Sequence, residues 1–345
     1  MNSNIVLSIV IPCRNEEKHI VKCLESIISS DFPANLIEVL VVDGRSSDET
    51  RELVRHISER YAFILLVDNE KKTTPRALNL GIQQARGKYV LILSSHSVVD
   101  RSFIKENIRT MESYDTDCVG GRLITLASGE TLVALAIAKA MAHPFGVGNA
   151  YFRIGSMGAR YVDTVPFGCY KREIFDRIGL FDEDLIRNQD DEFNFRVISK
   201  GGKVFLNPNI VSYYYARDTL SKLSRMFYQY GYFKPLVAQK IGKIVTWRQL
   251  IPALFVLGII LLCGLAIVDQ SLRWPILSLV TIYSAINLVT SFLIARSEKR
   301  LFAALPAVFL TVHVSYGFGY LKGILDFLLL KRHMGKRLSD VKLSR

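Results

Sequence analysis

The residues best suited to chemistry lie at 187–196, Arg-Asn-Gln-Asp-Asp-Glu-Phe-Asn-Phe-Arg, where three adjacent carboxylates stand between two arginines. A carboxylate held in place can take a proton from a hydroxyl as that hydroxyl attacks a carbon centre. The same stretch can be purely architectural. Asn188 can cap a helix whose first turn holds Asp190 and Asp191, an arrangement that satisfies free N–H groups and suits the helix dipole. On these ten residues both readings are open. Other candidates stand at the ends of apolar runs: Asp43 in the turn Asp43-Gly-Arg-Ser-Ser-Asp, and His96 in Ser94-Ser95-His96-Ser97. Asp43 can close an Asx-turn or meet a ligand. An imidazole at a strand end can be a hydrogen-bonded structural group or a metal ligand.

These groups require a scaffold, and the hydrophobic pattern predicts one. Residues 6–11 are a continuous apolar run ending at Pro12, as in a strand buried on both faces of a parallel sheet. A helix should follow over 16–29, with Ile20, Leu24, Ile27 and Ile28 on one face. Residues 37–42 predict a second strand, and the turn at 43–48 can cap a helix through Leu53, Val54 and Ile57. A third strand over 63–67 leads to Thr74-Pro75, read as an N-cap and a first-turn proline, and a fourth strand covers 89–93. Such alternation predicts an α/β fold with a parallel sheet and helices on both faces. Ligands then belong at the C-terminal strand ends, here 12–16, 43–48 and 94–97. No G-x-G-x-x-G follows the first strand and no G-x-x-x-x-G-K-[ST] occurs, which excludes a dinucleotide fold and a P-loop.

The chain has 345 residues, half of them apolar, a formal charge of +12 and a mean hydropathy of +0.22. The apolar excess is concentrated late, which predicts a soluble domain over 1–235, a linker over 236–249, a membrane region over 250–330 and a basic tail over 331–345. Runs at 250–268 and 274–295 are each about long enough to span hydrocarbon. Lys240, Lys243 and Arg248 before them and Arg296, Lys299 and Arg300 after them place both flanks in the cytosol, on the inner membrane. A full crossing by the third run, 301–330, would carry the basic tail outside, against the positive-inside rule. Pro306, His313, Gly317 and Gly319 would allow a re-entrant turn, and Lys322 and Asp326 suit an interface. The N-terminus lacks a basic leader and a small-residue cleavage site, so the first domain is expected in the cytosol. Residues 132–141 read either as a core helix or as a helix against lipid. The five cysteines form no CxxC pair, so reduced small hydrophobes are expected. Cations beside lipid explain the basic balance, and nucleic acid is not required.

Several motifs together resemble a known family. Val-Ile-Pro-Cys-Arg-Asn-Glu-Glu at 10–17, Val-Val-Asp-Gly-Arg-Ser-Ser-Asp at 41–48, Ala-Leu-Asn-Leu-Gly-Ile at 77–82 and Gly-Lys-Tyr-Val at 87–90 resemble the nucleotide-binding half of family 2 inverting glycosyltransferases. His143-Pro-Phe-Gly-Val-Gly-Asn, Val162-Asp-Thr-Val-Pro-Phe-Gly-Cys-Tyr, Gly179-Leu-Phe-Asp-Glu-Asp and Arg187-Asn-Gln-Asp-Asp-Glu are similar to the membrane-anchored glucosyltransferases of succinoglycan-type exopolysaccharide synthesis.

The resemblance implies a GT-A fold with a mostly parallel central sheet, ahead of the transmembrane helices. Pro12, Cys13, Arg14, Asn15, Glu16 and Asp43 would meet the nucleotide of a UDP-sugar, Arg76 its diphosphate, and Ser94 and Ser95 the same pocket. The family's fourth strand ends in Asp-x-Asp or Asp-x-His, so His96 would bind a divalent metal, Mn²⁺ or Mg²⁺, while Ser94 offers no carboxylate. In Glu-Asp-x-[Asp or Glu]-hydrophobic-x-x-Arg the Asp is the general base, which selects Asp190. Gln189, Asp191, Glu192, Gly168 and Arg225 would border the sugar and acceptor. Gln-x-x-Arg-Trp of processive members is lacking, so one sugar per encounter is expected. The implied activity moves a hexose, glucose in the closest group, to a lipid-linked saccharide, within a polysaccharide synthesis complex. Transfer to polyprenyl phosphate, or a nucleotide-sugar-binding subunit without turnover, are the alternatives.

Overall fold

The computed structural model describes residues 4–156, 158–243 and 247–332; all of the basic tail beyond Arg332, and residues 244–246 of the linker, lie outside the described residues. The chain forms two compact units, Met1–Ile124 with Tyr151–Tyr214, and Thr125–Ala150 with Tyr215–Arg345.

In chain order the first unit begins β1 (Leu7–Cys13), α1 (Ile20–Ile28), β2 (Ile37–Asp43), α2 (Thr50–Arg60), β3 (Ile64–Asp68), α3 (Thr74–Gln84) and β4 (Tyr89–Ile92). β5 (Ser97–Val99), α4 (Phe103–Ser113) and β6 (Cys118–Leu126) follow. The second unit contributes α5 (Leu132–Met141) and α6 (Pro144–Val147). The first resumes with α7 (Tyr151–Ile154), β7 (Arg160–Tyr161), β8 (Cys169–Lys171), α8 (Glu173–Ile178), α9 (Gln189–Ser199) and β9 (Val204–Tyr215). α10 (Leu220–Ile241), α11 (Ile251–Leu265), α12 (Arg273–Ala295) and α13 (Leu305–Gly323) complete the second.

One nine-stranded sheet runs β3-β2-β1-β4-β8-β6-β9-β5, with β7 paired to β9. β1 pairs in parallel with β2 and β4, and β2 with β3, so the four strands expected from sequence lie side by side. Beyond β4 the sheet continues antiparallel, through pairs such as Val90 with Tyr170. All seven residues of β2 are buried, as are all but one of β1, which is why both read as unbroken apolar runs. The mixed sheet flanked by helices thus has a parallel half that presents strand ends to ligands and an antiparallel half that carries β8 and α9.

Within the second unit, Arg248–Leu265, Gln270–Ala295 and Leu305–Leu329 are long and apolar enough to cross a membrane. The first two are largely exposed in the structure, and the third is markedly more buried. The third is a continuous helix followed by a π-helical turn, Ile324–Leu329, so the re-entrant turn expected near Pro306 and Gly317 does not occur. Pro306 is tolerated because it stands in the first turn of α13, where its missing N–H has no intrahelical partner to lose. Gly319 and Gly323 are explained by packing: a Cβ on either would come within 2.1 Å and 2.2 Å of the Tyr228 and Tyr232 carbonyl oxygens of α10. Small residues four apart let two helix backbones meet. α5 packs on α13, and His313 of α13 bonds the Phe145 carbonyl at 2.7 Å and the Tyr283 hydroxyl at 3.0 Å.

Candidate active site

The loops after β1 and β2 are stitched together. The Asn15 N–H donates to Ser46 Oγ at 2.8 Å, the Ser47 N–H to Asn15 Oδ1 at 2.9 Å, and the Glu16 N–H to Thr50 Oγ1 at 2.8 Å. Asp48 accepts from Thr50 N and Oγ1 and from the Glu17 N–H in the turn ahead of α2, whose N-cap residue, Glu49, makes no side-chain cap bond. Burial would raise the Asp48 carboxyl, but these bonds outweigh it and hold it below its ordinary value. Asn15 adopts φ 53°, a left-handed conformation that asparagine tolerates better than most residues. Pro12 is half-buried and opens this loop.

Asp43 is fully buried, accepting from Ser46 N and Oγ and pairing with Arg51 at 2.6 Å. Its carboxylate therefore braces the floor of the loop and has no exposed edge in this structure. Arg51, which the sequence did not single out, also reaches Asp68 at 2.7 Å. Arg14 lies across Gly44, and its Nε is buried without a hydrogen-bond partner. A buried guanidinium N–H left unpaired is costly, and its natural partner is an anionic oxygen. Cys13 is buried beside Ser95, and burial pushes its thiol well above the ordinary range.

At the end of β4, His96 Nδ1 stands 3.5 Å from Glu16 Oε1, and Ser94 Oγ lies 3.2 Å from the His96 ring nitrogens. The His19 ring is 6.4 Å away and that of Tyr214 6.0 Å. Burial lowers the His19 pKa, Glu16 opposes the shift, and His96 adds to it. The carboxylate missing at Ser94 thus has a counterpart on the neighbouring strand's loop. Among the described residues no three His, Cys, Asp or Glu groups gather as a closed metal cage. One imidazole and one carboxylate fit a divalent cation that takes its other ligands from water and phosphate oxygens.

Asp190 lies exposed in the first turn of α9 and acts electrostatically on Tyr170 of β8, the strand next to β4. Burial pushes the Tyr170 phenol well above its ordinary value, with Cys118 and Asp190 adding to the shift. Its hydroxyl donates to Asn194 Oδ1 at 2.8 Å, while Phe193, one turn from Asp190, packs edge-on to its ring. Tyr170 also explains Gly168, where a Cβ would meet the phenol ring at 2.6 Å. Asn188 occupies the N-cap position of α9, but at φ 59° its side chain makes no cap bond, contrary to expectation. Gln189 opens the helix and Asp191 is half-buried.

Two expected ligand-contacting residues, Glu192 and Arg76, are committed to ion pairs. Glu192 is buried and takes both Arg196 Nε at 2.6 Å and Nη2 at 3.0 Å. Arg196 also donates to the Ile178 and Leu180 carbonyls at 2.8 Å each. Arg76 donates to Glu183 at 3.0 Å, and Lys71 reaches the same carboxylate at 3.3 Å. Burial would raise the Glu183 carboxyl, but Arg76, Asn79 and Lys71 together hold it below its ordinary value. Glu183 lies within the Gly179-Leu-Phe-Asp-Glu-Asp motif, yet its role needed the fold to be seen. Arg225 lies in the second unit, on α10.

Comparison with known proteins matches residues 8–179 to the model of glycosyl transferase family 2. A dolichyl N-acetyl-alpha-D-glucosaminyl phosphate 3-beta-D-2,3-diacetamido-2,3-dideoxy-beta-D-glucuronosyltransferase of Methanococcus voltae is 31% identical over 92% of this chain and 97% of its own length. The succinoglycan biosynthesis protein ExoA of Rhizobium meliloti is 26% identical over 92% of this chain and 95% of its own. Among solved structures, a mannosyltransferase of Pyrobaculum calidifontis in complex with GDP-Man and Mn²⁺ superposes with a TM-score of 0.62 at 17% identity, over 93% of this chain and 87% of its own, a likeness of GT-A fold. With family-model match, relatives aligned nearly end to end and fold in agreement, the chain belongs to glycosyl transferase family 2.

Proposed function

We propose that this chain is a membrane-anchored inverting glycosyltransferase that moves a hexose from a UDP-sugar to a lipid-linked saccharide, with its catalytic unit on the cytoplasmic face. The observation that carries the reading is the pairing of His96 with Glu16 at the strand ends, with the exposed carboxylate of Asp190 in the first turn of α9 as the candidate base. The Methanococcus relative, which acts on a dolichyl-linked sugar phosphate, supports the acceptor class, and the Rhizobium relative, which serves succinoglycan synthesis, supports a role in saccharide assembly. The three apolar helices favour an acceptor that is itself in the membrane.

In this reading the stitched loops at 12–16 and 43–48 seat the nucleotide, and the unpaired Arg14 Nε meets a phosphate oxygen. His96 and Glu16 would hold Mn²⁺ or Mg²⁺, which when bound supplies positive charge to the departing diphosphate. Asp190 takes the proton of the acceptor hydroxyl as that oxygen bonds to the anomeric carbon and the bond to the UDP oxygen breaks, inverting the configuration. Tyr170 and Phe193 fix the turn that carries Asp190, and Gly168 leaves the phenol its place. The Arg76–Glu183 pair holds the preceding loop.

The test is to incubate membranes carrying the protein with a panel of labelled nucleotide sugars, with and without chelator. Transfer into organic-extractable saccharide, lost with chelator and falling about 10²- to 10⁴-fold in Asp190→Asn, is expected. Retained anomeric configuration in the product, or an Asp190→Asn variant as fast as the parent, would sink the proposal.

A further inference from the structure

α10 and α13 run parallel, in register at an offset of 91 residues. Ser224 Oγ is 2.8 Å from Ser315 Oγ, and Gly319 and Gly323 meet the backbone at Tyr228 and Tyr232. Alongside this contact, in the first half of α10, lies a groove of about 500 Å³. Its lining divides by chemistry. Ser221, Ser224 and Arg225 of α10 and Ser315 of α13 supply donors, and Tyr228 and Phe318, 37% and 48% exposed, supply an apolar rim.

The cation in this groove is unusual on its helix. Lys222 is paired with Asp218 at 2.9 Å, but exposed Arg225 has no hydrogen bond or ion pair among the described residues, and no acid lines the groove. A guanidinium flanked by hydroxyls recognises phosphate oxygens. Phe318 of the rim is on α13, a helix apolar enough to lie in hydrocarbon, and Tyr228 faces the same groove from α10, so the phosphate best suited to this place is one attached to a lipid tail. Aromatic side chains with one apolar and one polar face favour the boundary between hydrocarbon and water.

We infer that this groove binds the phosphate of the polyprenyl carrier to which the acceptor saccharide is attached, with Arg225 as its charge partner and the Tyr228–Phe318 rim against the first part of the lipid tail. The inference rests on the lipid-linked acceptor proposed above and adds the place and chemistry of its recognition. Of the two neighbours the resemblance implied for Arg225, sugar and acceptor, this assigns it to the acceptor's carrier, and UDP binding does not depend on it.

The experiment uses the full-length protein in phosphatidylcholine nanodiscs containing a long-chain polyprenyl phosphate, with phosphatidylglycerol at the same mole fraction as the competing anionic lipid. Binding is read by native mass spectrometry without donor. Polyprenyl phosphate should be retained in preference to phosphatidylglycerol, weakened about tenfold or more in Arg225→Gln, partly restored in Arg225→Lys and unchanged in Lys222→Gln. UDP binding and thermal unfolding should be the same in all variants. Equal retention of both lipids, or equal binding by Arg225→Gln and parent, overturns the inference. If the parent transfers sugar to a lipid-linked acceptor yet retains no polyprenyl phosphate, the inference fails and the proposed function stands; if neither occurs, both fail.

Discussion

Replacing Arg196 with Met should loosen the helix that carries Asp190. The guanidinium makes two charge-assisted bonds to Glu192, two more to the Ile178 and Leu180 carbonyls, and stacks 5.0 Å from the Phe193 ring centroid. Methionine replaces the stem and loses all four bonds. The Glu192 side chain, 6% exposed, is then left as a buried carboxylate with no cation. Removing one partner of a buried pair costs about 3–5 kcal/mol. The Arg196 side chain is 26% exposed, so water can partly replace it, and the low end, about 3 kcal/mol, applies. For a unit of this size that corresponds to a melting point lower by about 6–12 °C. Differential scanning calorimetry should show the drop in the transition that UDP stabilises. The double variant Glu192→Leu with Arg196→Met removes the stranded charge and should recover more than half of the loss. A single variant within about 1 °C of the parent, or a double variant no better than the single, would refute the reasoning.

Metal binding offers a second test. Manganese affinity measured by electron paramagnetic resonance in the presence of UDP should fall in both His96→Ala and Glu16→Gln, and rise in Ser94→Asp; unchanged affinity in Glu16→Gln would remove Glu16 from the site. Glu183 gives a pH test, because its folded pKa is depressed. Its stabilising contribution is full above the unfolded value of about 4.3 and is lost as pH falls through the lower folded value. Urea unfolding of the parent should therefore decline more steeply on acidification than that of Glu183→Gln, and parallel curves would contradict the latch. Gly319→Val places carbon within 2.1 Å of the Tyr228 carbonyl, so α10 must move. A loss of about 1–3 kcal/mol in the second unit is expected by calorimetry, and a neutral result would mean the helices are not in contact there.

The parallel half of the sheet was legible because strands buried on both faces leave unbroken apolar runs, and Pro12 and Asp43 mark where two of them stop. In the antiparallel half the short strands left little trace: β5 and β8 have three residues each and β7 two, too few to display a period. Nor did composition reveal that 125–150 belong with the late helices. Among the candidate site residues, position along the chain was readable but commitment was not. Arg76 is taken by Glu183, 107 residues away, and Asp43 by Arg51, pairings set by the fold and not by local spacing. The cap expected of Asn188 was overridden by a left-handed backbone that turns the side chain from the helix N–H groups. In the third apolar segment glycines read as bends are points of helix contact, a distinction that needs the partner helix.

The register between α10 and α13 also orders events during synthesis. The surface of α10 at Tyr228 and Tyr232 is covered by a stretch translated 91 positions later, after two apolar hairpin arms have already emerged from the ribosome. Until then that face lacks its mate, and chains stopped short of Leu305 would present it to chaperones and proteases. Quality control in the cell can thus sense completion of the last helix through an earlier one.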